Sequence, residues 1–219
     1  MTVHFQREID HLKKQILAVG AVVEERIAGA ITAVMQHDAE LARQIIEGDD
    51  EIDRMEIDVE EVCLKILALH QPVAVDLRFV VAVLKINQDL ERMADLASNI
   101  AKRAEHLADL PKIEIPAQLA AMSKRTQDMV KHCLDALVES NVAIARRVCS
   151  ADDEVDQHNR QMHVLIQDQM RENPTDIERL LDLLSISRHL ERIADLTTNV
   201  AEDVIYTVQG DIVRHHHRD

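Results

Sequence analysis

Apolar residues along the chain recur in steps of three and four rather than two. Between residues 45 and 69 they fall at Ile45, Ile52, Met55, Val59, Val62, Ile66 and Leu69; between 83 and 100 they fall at Val83, Ile86, Leu90, Met93, Ala97 and Ile100. Each series draws one stripe along a helix of 3.6 residues per turn, the seam of a bundle, and neither fits the alternation of a strand. With prolines and capping residues as boundaries, the pattern predicts six helices, over 3–36, 38–70, 74–108, 116–139, 141–172 and 175–208. A linker, Leu110 to Pro116, separates the third from the fourth. Pro116 suits a first helical position, and Thr175 with Glu178 spells a capping box after Pro174. In the first helix Gly20, Ala21, Ala28 and Gly29 predict a close helix approach, because an interior glycine costs about 1 kcal/mol relative to alanine and needs a compensating contact.

The same pattern occurs twice. Leu84 to Ala101 reads LKINQDLERMADLASNIA and Leu184 to Ala201 reads LSISRHLERIADLTTNVA, identical at ten of eighteen positions. Asp49-Asp50-Glu51-Ile52-Asp53 likewise matches Asp152-Asp153-Glu154-Val155-Asp156, and Asp38 matches Asn141. Helical periodicity alone does not generate such identity, so the chain reads as a tandem duplication. The expected fold is all-α, two copies of an antiparallel three-helix bundle, with repeats over 1–109 and 110–219.

Composition narrows the function. Forty acidic against 25 basic residues leave a net charge of -15, which repels phosphate backbones and anionic lipid, so no nucleic-acid partner is expected. Aromatic side chains are limited to Phe5, Phe79 and Tyr206, too few for base-stacking platforms. No apolar run approaches the roughly 20 residues of a membrane span, and the stretch Met1 to Lys14 is too charged for a secretory signal; direct membrane insertion is not expected, and the cytoplasm is the expected compartment. Cys63, Cys133 and Cys149 lack metal or redox spacing and read as reduced core thiols.

The chemistry lies in a stripe of oxygens. Glu91, Asp95 and Asn99 are spaced by four, as are Glu191, Asp195 and Asn199 in the second copy, so each trio lines one helix face. Asp49 with Asp53, and Asp152 with Asp156, are spaced likewise on the preceding helices. In an antiparallel hairpin, residues equidistant from the turn sit level. The pairs Asp53–Glu91 and Asp49–Asp95 both centre on Pro72, and Asp156–Glu191 and Asp152–Asp195 both centre between Asn173 and Pro174. Four carboxylates at one level raise one another's pKa unless positive charge intervenes. These ten residues are therefore expected to bind metal ions on the bundle surface. An all-oxygen donor set suits Mg, Mn, Ca or iron and disfavours structural zinc. The competing reading is a solvated acidic face balanced by Arg54, Arg92 and Arg192. Two weaker signals are the ferritin-like spacing of Glu8 and His11, and the run His215, His216 and His217, a chelating or merely polar tail.

The stretch QPVAVDLRFVVAVLKINQDLERMADLASNIAKRA from Gln71, its second copy, and the ending VIYTVQGDIVRHH together resemble the PhoU family, whose Glu-x-x-x-Asp-x-x-x-Asn motif stands here twice. The likeness covers essentially the whole chain. It implies a non-enzymatic regulator that restrains a Pst-type phosphate importer and holds a phosphate-sensing two-component system in its repressing state when phosphate is plentiful. The implied partners are the importer's ATPase and the sensor histidine kinase, with the protein acting as a homodimer. It also implies metal clusters, iron among them, on the carboxylates named above. Ala94 and Ala194 stand where many relatives have glycine. The alternatives are a metal-dependent enzyme or a metal-storage bundle using the same clusters. No nucleophile–base pair or phosphate-cradling loop supports an enzyme.

Overall fold

The predicted seams close onto one another in the computed structural model, which describes residues 3–210. Its regular structure among these residues is helical throughout: α1 (Val3–Gln36), α2 (Ala39–Glu47), α3 (Asp49–His70), α4 (Ala74–Ala108), α5 (Ala117–Glu139), α6 (Val142–Glu172) and α7 (Ile177–Gln209), with a short 3-10 turn at Pro174–Asp176. The second predicted rod differs from expectation, because it is interrupted at Gly48 into α2 and α3. Its counterpart α6 runs on without a break.

Both repeats turn their first corner by the same device. His37 and Ser140 adopt left-handed φ angles of 55° and 51°. The next residues cap the following helix: the Asp38 carboxylate accepts from the Leu41 amide at 3.0 Å, and the Asn141 side chain accepts from the Ala143 and Ile144 amides. Two predicted starts shift. Pro116 caps α5 from outside rather than entering it, its carbonyl accepting from Leu119 and Ala120. The Thr175–Glu178 capping box does not form; the Thr175 hydroxyl donates to Asp176 instead, and Arg179 grips Asp176 while donating to the Pro111 carbonyl at 2.8 Å, which ties the linker down.

Val83, Ile86, Leu90, Met93, Ala97 and Ile100 are all buried, as are Ile45, Ile52, Val59 and Ile66, while Met55 and Val62 pack at the core margin. Leu69 departs from the seam and is 64% exposed, since the hairpin ends there. One apolar core runs through both repeats. The repeats meet first helix to first helix and third to third, α1 against α5 and α4 against α7, and the latter is the most extensive packing in the molecule. Contacts Arg103–Asp182 and Lys85–Asp203 make α4 and α7 antiparallel, and that register sets Ala94 opposite Ala194, both buried at mid-length. Gly20 has its packing reason: a Cβ there would lie 2.5 Å from Leu134 Cδ2 on α5. Gly29 faces Ile45, whereas Ala21 is exposed and takes no part.

The cysteines are buried and free, and burial pushes the Cys63 thiol up to about 12 and the Cys149 thiol up to about 11, which keeps both protonated and unreactive. No helix among the described residues is long and apolar enough to cross a membrane.

Candidate metal centre

Hairpin register positions the acidic residues, and buried hydrogen bonds set it. Asn87 Nδ2 donates to the Glu56 carbonyl at 2.8 Å, joining α4 to α3. At the matching place in the second repeat, Ser187 Oγ donates to Asn159 Oδ1 at 2.8 Å, joining α7 to α6. These bonds centre the two hairpins near Pro72 and Asn173. One turn beyond Asn87 comes Glu91, and one turn beyond Ser187 comes Glu191, so each stripe starts where the clasp has already fixed its height.

In the first repeat Asp53 stands near enough to repel both Glu91 and Asp95, and Asp49 near enough to repel Asp95. The Glu91 carboxyl is raised by burial first, then by Asp95, Asp53 and Glu56. Asp95 is raised by burial and then by Asp49 and Asp53. Asp49 has partners of its own: Arg26 Nη1 donates to its Oδ1 at 3.0 Å, and Ser98 Oγ donates to the same oxygen at 3.0 Å. Arg26 is itself buried, with its other guanidinium nitrogen on the Ile45 carbonyl at 2.8 Å. That carbonyl lies in the last turn of α2, where helix carbonyls lack intrahelical partners. A Cβ at Gly48 would lie 2.5 Å from Arg26 Nη2, which explains both the glycine and the interruption. The φ of -79° at Gly48 is open to any residue, so space rather than backbone conformation selects it.

In the second repeat burial and like charge press hardest on one carboxyl. The Asp152 carboxyl is pushed up to about 7, by burial first and then by Asp195, Asp156, Asp153 and Glu191. Glu191 is raised by burial, Asp195 and Asp156. Asp195 is raised by burial, against which Arg192, 3.5 Å away, pulls it down. Arg160 stands 3.4 Å from Asp156 at the exposed rim.

The structure thus brings together Asp49, Asp53, Glu91 and Asp95 in one cluster and Asp152, Asp156, Glu191 and Asp195 in the other. Asn99, half-buried, and Asn199, exposed, follow one turn further on the same faces. Glu56, half-buried and raised by burial, Glu60 and Asp53, is a member that spacing did not single out. Arg26 was also missed, since it comes from a helix outside the hairpin. Of the expected balancing cations, Arg92 pairs with Asp89 and Arg192 with Asp195. The Glu8–His11 pairing is corrected: His11 is exposed, and Glu8 turns to His4 and His70. His215, His216 and His217 lie outside the described residues. The raised carboxyls stand short of positive charge on a half-open face, and they stand wider than a closed ligand set: among the described residues the group of three ligand side chains with atoms within 4.8 Å of one another is His4, Glu8 and His70.

Comparison with known proteins places the chain among relatives of like architecture. The PhoU domain model matches twice, over residues 7–104 and 119–204. The phosphate-specific transport system accessory protein PhoU homolog of Aquifex aeolicus is 38% identical over 211 residues, 96% of either chain. The PhoU homolog of Pseudomonas aeruginosa is 36% identical over 96% of this chain and 88% of its own. The crystal structure of PhoU from Pseudomonas aeruginosa superposes with a TM-score of 0.92, at 35% identity over 94% of this chain and all (100%) of that one. The phosphate transport system regulatory protein PhoU from Streptococcus pneumoniae gives 0.88, at 30% identity over 95% and 99%.

Proposed function

The chain belongs to the PhoU family, and on that premise we propose that it is a cytoplasmic accessory protein of phosphate transport, restraining a Pst-type importer and holding the phosphate-sensing kinase in its repressing state when phosphate is plentiful. The observation that supports this reading most is the reach of the likeness, which runs through both repeats rather than one motif. Function follows as adaptor work without catalysis: rigid helical hairpins present charged and apolar faces to the importer's ATPase and the sensor kinase, with two copies acting as a homodimer.

The acidic clusters serve this role as metal sites. In the first, Asp53, Glu91, Asp95 and Asn99 supply oxygens, with Asp49 shared between Arg26 and the ion. In the second, Asp152, Asp156, Glu191, Asp195 and Asn199 do so. Iron, or otherwise Mg, Mn or Ca, suits this donor set. A bound ion supplies positive charge that turns a repelling face into one able to meet an anionic partner or phosphate.

Two measurements test the reading. A tagged chain recovered from phosphate-replete cells is expected to bring down the importer ATPase or the sensor kinase, and deletion is expected to release phosphate repression. Recovery of neither, with repression unchanged in the deletion strain, overturns the regulatory role. Metal content of freshly purified protein is expected to fall in the Asp95→Ala, Asp195→Ala double variant. Equal content in variant and wild type removes the metal sites while leaving the regulatory reading standing.

A further inference from the structure

A different donor set stands at the far end of the first hairpin. His4 and Glu8 are one turn apart on α1, and Phe5 and Ile9, between and beside them, are buried and fix the face they present. His70 is the last residue of α3, its ring 5.2 Å from that of Phe5 and 5.9 Å from that of His4. Both imidazoles aim Nε2 at one carboxylate. His70 Nε2 lies 2.7 Å from Glu8 Oε2, and His4 Nε2 lies 3.2 Å from Glu8 Oε1. One ligand atom from each of the three side chains falls within 4.8 Å of the others. Ligand atoms around a tetrahedral zinc stand about 3.3 Å apart, given metal–ligand bonds of about 2.0–2.1 Å. Small torsions of these side chains close the remaining gap.

We propose that His4, Glu8 and His70 form a mixed nitrogen–oxygen site for a divalent transition metal of the zinc class, which pins the start of α1 to the end of α3. Glu8 and His70 are held half-buried, with side-chain exposures of 20% and 18%, while His4, at 74%, closes over them from the solvent side and leaves room for water at the remaining positions. Two imidazoles and one carboxylate are a donor set that prefers zinc, iron(II), cobalt or nickel to magnesium or calcium. The acidic clusters offer oxygens only, and Asp53 lies 17 residues back along α3, roughly 25 Å at the rise of a helix. The two kinds of site are therefore separable by ligand chemistry as well as by place. Binding replaces the His70–Glu8 hydrogen bond and the His4–Glu8 ion-pair contact with bonds from both Nε2 atoms and one carboxylate oxygen to the ion. The segment it steadies adjoins the exposed apolar tip made by Leu69, Val73 and Val75.

The probe is cobalt(II) added to the full-length, chelator-stripped chain, read by its visible absorption and displaced by zinc. Low-coordinate nitrogen ligation gives strong visible bands, whereas an all-oxygen octahedral environment gives weak ones. We expect strong bands that fade on adding zinc, with affinity at least tenfold weaker in His70→Ala and in His4→Ala. The exposed His4 position leaves folding intact, so its variant is informative even where His70→Ala is unstable. The bands are expected to persist in Asp95→Ala with Asp195→Ala, and in the triple variant His215→Ala, His216→Ala, His217→Ala. Loss of the bands in the tail variant, weak oxygen-type bands alone, or unchanged affinity in His4→Ala would overturn the proposal.

Discussion

The two acidic clusters are built on equivalent hairpins, yet among the described residues only the first holds a buried cation, while the arginines of the second, Arg160 and Arg192, stand at its exposed rim. Helix α1 corresponds to α5 with the offset that relates Asp38 to Asn141 and Asp49 to Asp152, and by that offset Arg26 answers to Met129 and Gly48 to Ala151. Where Arg26 enters, α2 ends early, Gly48 leaves room, and Asp49 gains a buried partner at 3.0 Å. Where Met129 stands, buried and apolar, α6 continues through Ala151 and Asp152 is left to its like-charged neighbours, with its carboxyl up at about 7. The three differences are one difference. A guanidinium requires a carbonyl to hold and a space to occupy, and the helix break supplies both. Duplication therefore kept the scaffold and let the electrostatics diverge, so that the first cluster is partly neutralised from within and the second only from its exposed rim.

Removing the internal cation is the strongest way to break this contrast. Arg26→Met makes the first repeat resemble the second and strands Asp49 beside Asp95. Loss of one partner of a buried pair costs about 3–5 kcal/mol, and with Asp49 partly exposed about 2–3 kcal/mol is expected here. Thermal unfolding of chelator-treated protein should show it as a midpoint lowered by roughly 4–12 °C. An unchanged midpoint would mean that Arg26 does not neutralise the cluster.

The second cluster should reveal itself through pH. With its folded carboxyl raised to about 7, Asp152 keeps its proton over a range in which the unfolded chain, near 3.9, has released it. The folded state then binds more protons, so stability falls as pH rises from about 4 through about 7. Discounted for partial exposure, the loss should be about 1–2 kcal/mol, and Asp152→Asn should remove most of it. Urea titrations of the two proteins at several pH values, both treated with chelator, give the comparison; parallel curves would refute the assignment.

Gly48→Ala sharpens the pairing of arginine and glycine by a change of sign. In the wild type the new methyl displaces Arg26 and should cost about 1 kcal/mol. In the Arg26→Met background the obstacle is gone, and alanine should stabilise by about 0.5–1 kcal/mol through helix propensity. The same sign in both backgrounds, measured as a double-mutant cycle, would uncouple the two positions.

Periodicity made the scaffold legible because seams and hairpin levels are local properties. Asp53 and Glu91 could be set abreast knowing only the turn at Pro72, and no distant residue alters that count. The helix break at Gly48 was not legible, because its cause, Arg26, lies on another helix and has no periodic relation to it. The partners of Glu8 escaped for the same reason. His11 was near in sequence, whereas His70 arrives from 62 residues away at the end of α3. Thr175 and Glu178 matched a local capping pattern, but Arg179 reaching the Pro111 carbonyl favoured a 3-10 turn. Leu69 fitted its seam and fell beyond the point where the seam has a partner.

The contact between the repeats carries the smallest effect, and it too is asymmetric. On α4 His106 Nδ1 meets Asp182 Oδ2 of α7 at 2.6 Å, and its Nε2 stands 3.3 Å from Glu178; Arg103 joins at 3.4 Å. The counterparts by the third-helix offset are Tyr206, Ala82 and Asp203, which cannot form the same clasp. The His106 pKa is raised, chiefly by the hydrogen bond and charge of Asp182, so the charged ring favours the folded state. A raised folded value gives stability that is complete below the ordinary histidine value, near 6.5, and is lost as pH climbs through the folded one. The ring is well exposed, and solvent screening holds the contribution below about 1 kcal/mol. His106→Gln should therefore match wild type at high pH and fall short of it at pH near 6, with Asp182→Asn abolishing the difference. A gap between wild type and His106→Gln that stays constant from pH 6 to 9 would show packing rather than charge at work. The clasp would then hold the two repeats together without sensing protons.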